Sequence, residues 1–215
     1  MKRTTLGFYA MSLFSAGAAF AQSGGAPAKP ADAPAADKAA APPAEPQMDP
    51  KLMEAMTRYA TPGPEHAKLK SLAGSWDVKV TFWMDPKAKP EEVTGKTEFK
   101  SVLGDRYLMQ EFSGNMMGMP FSGIGLVGYN NALKKYEQVW VDNMSTGFIT
   151  GSGTADKEGT ITFAQQSTNA LRNKVDKGKD VWKIEGDKKI VSEMWGPPPK
   201  GGKDFKMLEI VYTRK

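Results

Sequence analysis

From Trp76 onward the chain alternates. Trp76, Val78, Val80, Phe82 and Met84 are separated by Asp77, Lys79, Thr81 and Trp83, the period-two pattern of a strand with its even positions turned inward. The same texture predicts nine further strands, over 92–103, 105–114, 121–130, 135–142, 145–154, 159–167, 179–185, 188–196 and 204–214. Turn residues fall between them: Leu103-Gly104-Asp105, Asn130-Asn131, Asp142-Asn143, Asp156 to Gly159, Glu185-Gly186-Asp187 and Gly196 to Gly202. In 105–114 and 188–196 both faces carry apolar groups, so the inward phase stays open there. Short strands joined by tight turns make an antiparallel meander, and closing it into a barrel removes the exposed edges. The expected fold is therefore all-β, a barrel of about ten strands over residues 62–215.

Helical signals precede the strands. Residues 49–61 begin with Asp49 as N-cap and Pro50 at the first helical position, and Leu52, Met53 and Met56 form one apolar stripe. A shorter lead-in runs from Pro64 to Leu69. Residues 22–48 carry ten alanines and six prolines and nothing that forms a core, which predicts a disordered linker. Residues 1–21 have a basic start at Lys2 and Arg3, an apolar run from Leu6 to Phe20, and Ala19-Phe20-Ala21 ahead of Gln22. This is the order of a secretory signal peptide. The expected product is exported, periplasmic or secreted, and monomeric. With no cysteine it has neither a lipid-anchor site nor a disulfide, so its stability rests on the core.

Composition narrows the function classes. Net charge is +5, of which Lys2 and Arg3 supply two, too weak and too evenly spread a balance for nucleic acid. Beyond the N-terminus no apolar run is long enough for a membrane helix. One histidine, His66, is the only base for a Ser-His-Asp arrangement, and it falls before the first strand, where packing under the barrel end is the plainer role. Zinc lacks ligands for the same reason, and no metal or other cofactor is called for. Glu111 and Glu137 are not placed by the pattern as a facing carboxylate pair. Of the 13 methionines, Met116, Met117 and Met119 cluster. Thioethers fill irregular gaps, make adaptable apolar rims and bind copper(I), and the first role is favoured.

Gly114, Gly118, Gly123, Gly125, Gly128, Gly147, Gly151 and Gly153 fall within consecutive strands. Barrel curvature is their first explanation and room for a ligand the second. Asp142-Asn143-Met144-Ser145-Thr146 reads as a hairpin turn, with a polar cluster at the barrel mouth as its functional alternative.

Two resemblances follow from particular residues. Gly74-Ser75-Trp76 at the first strand, with Arg214 at the end of the last, resembles the lipocalin and calycin signature, which implies that Trp76 plugs one barrel end under the Arg214 guanidinium. The run Gly114-Asn115-Met116-Met117-Gly118-Met119-Pro120-Phe121-Ser122-Gly123-Ile124-Gly125 resembles the uncharacterised bacterial domain-of-unknown-function family 1579. So do Gly128-Tyr129-Asn130, Trp140 to Gly147, Gly63 to His66, Leu72 to Trp76 and Leu103 to Leu108. That resemblance covers about residues 62–215 and implies a calycin-like barrel without an established activity. Asn130 stands where the family is expected to carry Asp, which removes a candidate acid. Haem-binding barrels of the nitrobindin-like group are similar in shape, but the resemblance places their histidine ligand near the C-terminal strand, where this chain has none.

The reading reached is a barrel that binds a small apolar or amphipathic molecule through Met116, Met117, Met119, Phe121, Tyr129, Trp140 and Asp142. The alternatives are a filled barrel that binds a protein partner, a hydrolase using Asp142 or His66, and a copper(I) carrier built on the methionine cluster.

Overall fold

The structure, a computed structural model, describes residues 48–215. The expected signal peptide and the Ala/Pro-rich linker up to residue 47 lie outside the described residues. Two helices lead in, α1 (Pro50–Ala60) and α2 (Pro64–Lys70). Ten strands follow. The first five are β1 (Gly74–Phe82), β2 (Glu91–Val102), β3 (Tyr107–Met116), β4 (Met119–Asn130) and β5 (Lys135–Asp142). The rest are β6 (Ile149–Ala155), β7 (Ile161–Asn169), β8 (Lys174–Glu185), β9 (Lys189–Gly196) and β10 (Phe205–Arg214). Each pairs antiparallel with its sequence neighbours, and β10 returns to β1, so the sheet is a closed barrel.

Alternation builds the core as the sequence implies. Trp76, Val78, Val80 and Phe82 are buried, while Asp77 and Lys79 between them are exposed. The strand stops at Phe82, two residues short of the expected end. The Trp83 N–H donates to the Met207 carbonyl at 2.9 Å, the Lys206 ammonium sits 5.3 Å from its ring, and Met84 is exposed.

Two hairpins differ from the sequence expectation. Residues 115–120, expected as a connection, continue the ladder to the pair Met116–Met119 across the two-residue turn Met117-Gly118. Both turn residues have positive φ, 53° and 78°, the geometry that matches strand twist in a tight hairpin. Strand β8 begins at Lys174 rather than 179. Its first residues lack an apolar phase, and the ladder with β7 holds them together with Asp176, which accepts from Asn169 at 2.8 Å and pairs with Arg172.

One end of the barrel is plugged. Leu69 and Leu72, from α2 and the turn after it, pack with Trp76, and the Trp76 indole N–H donates to the Leu72 carbonyl at 3.0 Å. The Arg214 guanidinium lies 4.4 Å from the Trp76 ring centre and donates to the carbonyls of Ala73 and Ser71, each at 2.7 Å, and of Asp187. One side chain thus satisfies carbonyls from the α2–β1 and β8–β9 connections while covering the indole. Above this plug Phe99, Leu108, Tyr136, Ile161, Phe163 and Ile190 fill the barrel.

Helix α1 is held differently. Asp49 caps it, accepting from the Lys51 N–H at 2.8 Å. The Asn131 side-chain amide, on the β4–β5 connection, donates to the carbonyls of Tyr59 at 3.0 Å and Thr61 at 2.8 Å. None of its residues is buried.

Candidate functional site

The opposite half of the barrel is not filled. A cavity of about 380 Å³ runs from mid-barrel to the β5–β6 connection, where Met144 and Ser145 line it. Its walls are apolar. Phe112 (β3), Phe121 (β4) and Trp140 (β5) form a continuous aromatic side, with ring centres 5.7 and 6.5 Å apart. Met116, Ile149, Met194 and Leu208 complete it. Trp140 fits only because β4 carries glycine beneath it: a Cβ on Gly123 would stand 2.1 Å from the indole. This glycine makes room for an aromatic side chain, a close approach that curvature alone would not require.

The deeper lining is polar. Asp180 of β8 is 1% exposed and shares the inward phase with Trp182. Its carboxyl accepts from the Ser192 hydroxyl at 2.7 Å, the Trp182 indole N–H at 2.8 Å and the Gln138 amide at 3.1 Å. All three donors are neutral. Burial pushes the Asp180 carboxyl above the usual aspartate range, and the three hydrogen bonds pull against that shift. Beside this cluster the Gln110 amide donates to Thr97 at 3.1 Å and to the Tyr212 hydroxyl at 3.3 Å. Burial also raises the Tyr212 phenol well above its ordinary value. Gln165 of β7, 8% exposed, borders the cavity too, and its amide makes no hydrogen bond among the described residues.

The residues singled out in the sequence separate. Met116, Phe121, Trp140 and Asp142 line the cavity. Asp142 accepts from the Trp140 indole N–H at 3.0 Å and from the Met144 backbone at 2.9 Å, which fixes both the rim and the ring. Met117 and Met119 do not line it. They sit at the β3–β4 turn, 59% and 52% exposed, and the thioethers that share the cavity with Met116 are those of Met144 and Met194. Tyr129 lies toward the plugged end, 5.0 Å from the Tyr136 ring and 5.9 Å from His66, and Tyr129 and His66 border a separate hollow of about 390 Å³ beside Tyr59 and Arg106.

The residues that suggested hydrolysis are spread out. His66 Nδ1 accepts from the Gly63 N–H at 3.0 Å, closing the first turn of α2, at the barrel end away from Asp142. Glu111 faces outward and pairs with Lys100 at 2.6 Å, and Glu137 is exposed, accepting from Asn130 at 3.3 Å. Among the described residues no three His, Asp or Glu side chains gather as a metal site.

Sequence reasoning missed the polar end of the cavity. Its signal was a polar residue in an apolar phase: Gln110 between Leu108 and Phe112, Asp180 ahead of Trp182 and Ile184, Ser192 between Ile190 and Met194. Carboxyls and amides pointing into a barrel are costly unless partnered, so such positions mark either a network or a site.

Residues 61–214, the barrel with α2, match the family described as protein of unknown function (DUF1579). The chain belongs to that family. This DUF1579 barrel is similar to the crystal structure of Rv2717c from M. tuberculosis, with a TM-score of 0.54 and 18% identity over 72% of this chain and 99% of that one. A likeness at that identity establishes a shared fold. A redesigned β-barrel aligns with a TM-score of 0.35 and 16% identity, over 68% of this chain and 94% of that one. No functionally curated protein matches the DUF1579 chain.

Proposed function

We propose that this DUF1579 protein is an exported carrier or sensor that binds a small apolar or amphipathic molecule inside its barrel. The observation that carries the reading is the cavity of about 380 Å³, aromatic and thioether-walled, with a polar inner end. Such a lining strips water from an apolar body and leaves a few polar groups to fix its orientation. The export half of the reading is supported by the order of residues 1–21, basic, then apolar, then small residues before Gln22.

Native mass spectrometry of the mature protein purified from its own cell envelope tests the reading. The expected result is added mass that disappears on denaturation. A bare protein mass, unchanged after incubation with lipid extract, would overturn it. A second reading, binding of a protein partner, is favoured by α1, where Leu52, Met53, Met56 and Tyr59 form an exposed apolar stripe.

A further inference from the structure

We infer that the cavity selects amphiphiles whose head group is uncharged or cationic and donates hydrogen bonds, and that it rejects carboxylates. The inference rests on the ligand-binding reading above and names the class of ligand.

The charges come first. Among the described residues no lysine, arginine or histidine borders the cavity, whereas two carboxyls do, Asp180 at the inner end and Asp142 near the rim. A barrel that held a fatty acid or another carboxylate would need a cation or a cluster of free donors to replace the water lost by the anion. Most donors nearest the inner end are already engaged, the Gln165 amide excepted. Ser192, Trp182 and Gln138 all donate to Asp180, and the Gln110 amide N–H donates to Thr97 and Tyr212. A carboxylate head would enter a poorly hydrated space beside Asp180 with no cation to offset the lost hydration.

The unused valences point the same way. Asp180 Oδ2 is already filled, accepting from the Trp182 indole and the Gln138 amide, so the open positions lie on the two glutamines beside it. The Gln110 carbonyl oxygen makes no hydrogen bond among the described residues, although Gln110 is buried and borders the cavity. Gln165 is the decisive group. The residue is more than nine-tenths buried and occupies an inward position of β7, and its amide has no partner among the described residues. An amide that faces the cavity without a protein partner is free to bond to a ligand head group. The open positions are the Gln110 carbonyl oxygen and both ends of the Gln165 amide, which suits a hydroxyl, amide or ammonium head more than a bare anion, and the aromatic wall of Phe112, Phe121 and Trp140 tolerates a cation as well as an alkyl chain.

The test uses three chain-matched probes, decanol, decylamine and decanoate, titrated into the mature protein at neutral pH and followed by intrinsic tryptophan fluorescence and calorimetry. Decanol and decylamine are expected to bind about ten-fold or more tighter than decanoate. In Asp180→Asn the decanoate penalty shrinks. In Gln165→Leu, which removes an amide without a partner and spares the fold, decanol binding weakens several-fold while the thermal midpoint holds or rises. Decanoate binding as tightly as decanol to the wild type would overturn the inference and leave the ligand-binding reading standing. Failure of all three probes to bind would overturn both. Decanol binding unaffected by Gln165→Leu would overturn the head-group placement.

Discussion

The Trp140 indole lies across Gly123, so close that a methyl group on the glycine would stand 2.1 Å from the ring. The aromatic wall of the cavity is therefore set by the absence of a side chain on the neighbouring strand. Gly123→Ala forces the indole away and is expected to destabilise the barrel by about 1–3 kcal/mol, the usual cost of overpacking. Adding Trp140→Ala to that variant should cost less than the two single changes predict. Urea unfolding of the four-member cycle measures the coupling, and strict additivity would disprove the contact.

Asp180 gives the stability a pH dependence of definite sign. Burial raises its folded value above that of the unfolded chain, so the folded state binds its proton more tightly. The contribution is fully present below the unfolded value of about 3.9 and falls as pH rises through the folded value. Asp180→Asn does not titrate. The difference in unfolding free energy between wild type and variant should therefore move in the variant's favour as pH rises from about 4 toward neutrality. Parallel pH profiles for the two proteins would contradict the assignment.

Arg214 unites the plugged end. Arg214→Ala removes the contact with the Trp76 ring and leaves the carbonyls of Ser71, Ala73 and Asp187 to water. A loss of about 2–3 kcal/mol is expected from one cation–π contact and charge-assisted bonds at a partly exposed site. Arg214→Lys should recover only a minor part, because an ammonium lacks the planar fork that reaches several acceptors. Denaturant titration of both variants decides this, and full rescue by lysine would argue against the geometry.

Asn131 ties α1 to the barrel through carbonyls at the helix end. Asn131→Ala is expected to speed amide hydrogen exchange across residues 51–61 while leaving exchange in β1–β10 unchanged, since α1 buries nothing. Equal protection of α1 in wild type and variant would show that another contact holds it.

The barrel was legible because β1 repeats apolar residues at every second position, β7 opens the same way with Ile161 and Phe163, and the turns carry glycine, aspartate or asparagine. Trp76 and Arg214 were paired through the resemblance to the lipocalin and calycin signature, and the closed barrel brings them together because β10 pairs with β1. The cavity was only half legible. Phe121 and Trp140 are inward by phase, but Met117 and Tyr129 depended on register: a two-residue turn turns Met117 out, and Tyr129 belongs to the plugged end. Asp180 and Gln165 escaped because a single polar residue in a strand looks like a surface position until cross-strand neighbours are known. The early start of β8 escaped because its first residues are held by hydrogen bonds and carry no apolar rhythm.

The pairing of β10 with both β1 and β9 also dictates an order of assembly. Nine strands can be laid side by side by successive hairpins, each using only local loop closure. Until residues 205–214 have been made, that sheet has two open edges and its half-built interior faces water. The last ten-residue strand converts an aggregation-prone ribbon into a closed surface in one step. It also brings Arg214 onto Trp76, so the lock arrives with the strand that shuts the barrel. A barrel built this way is closed only once β10 is in place, and its folding waits on that strand.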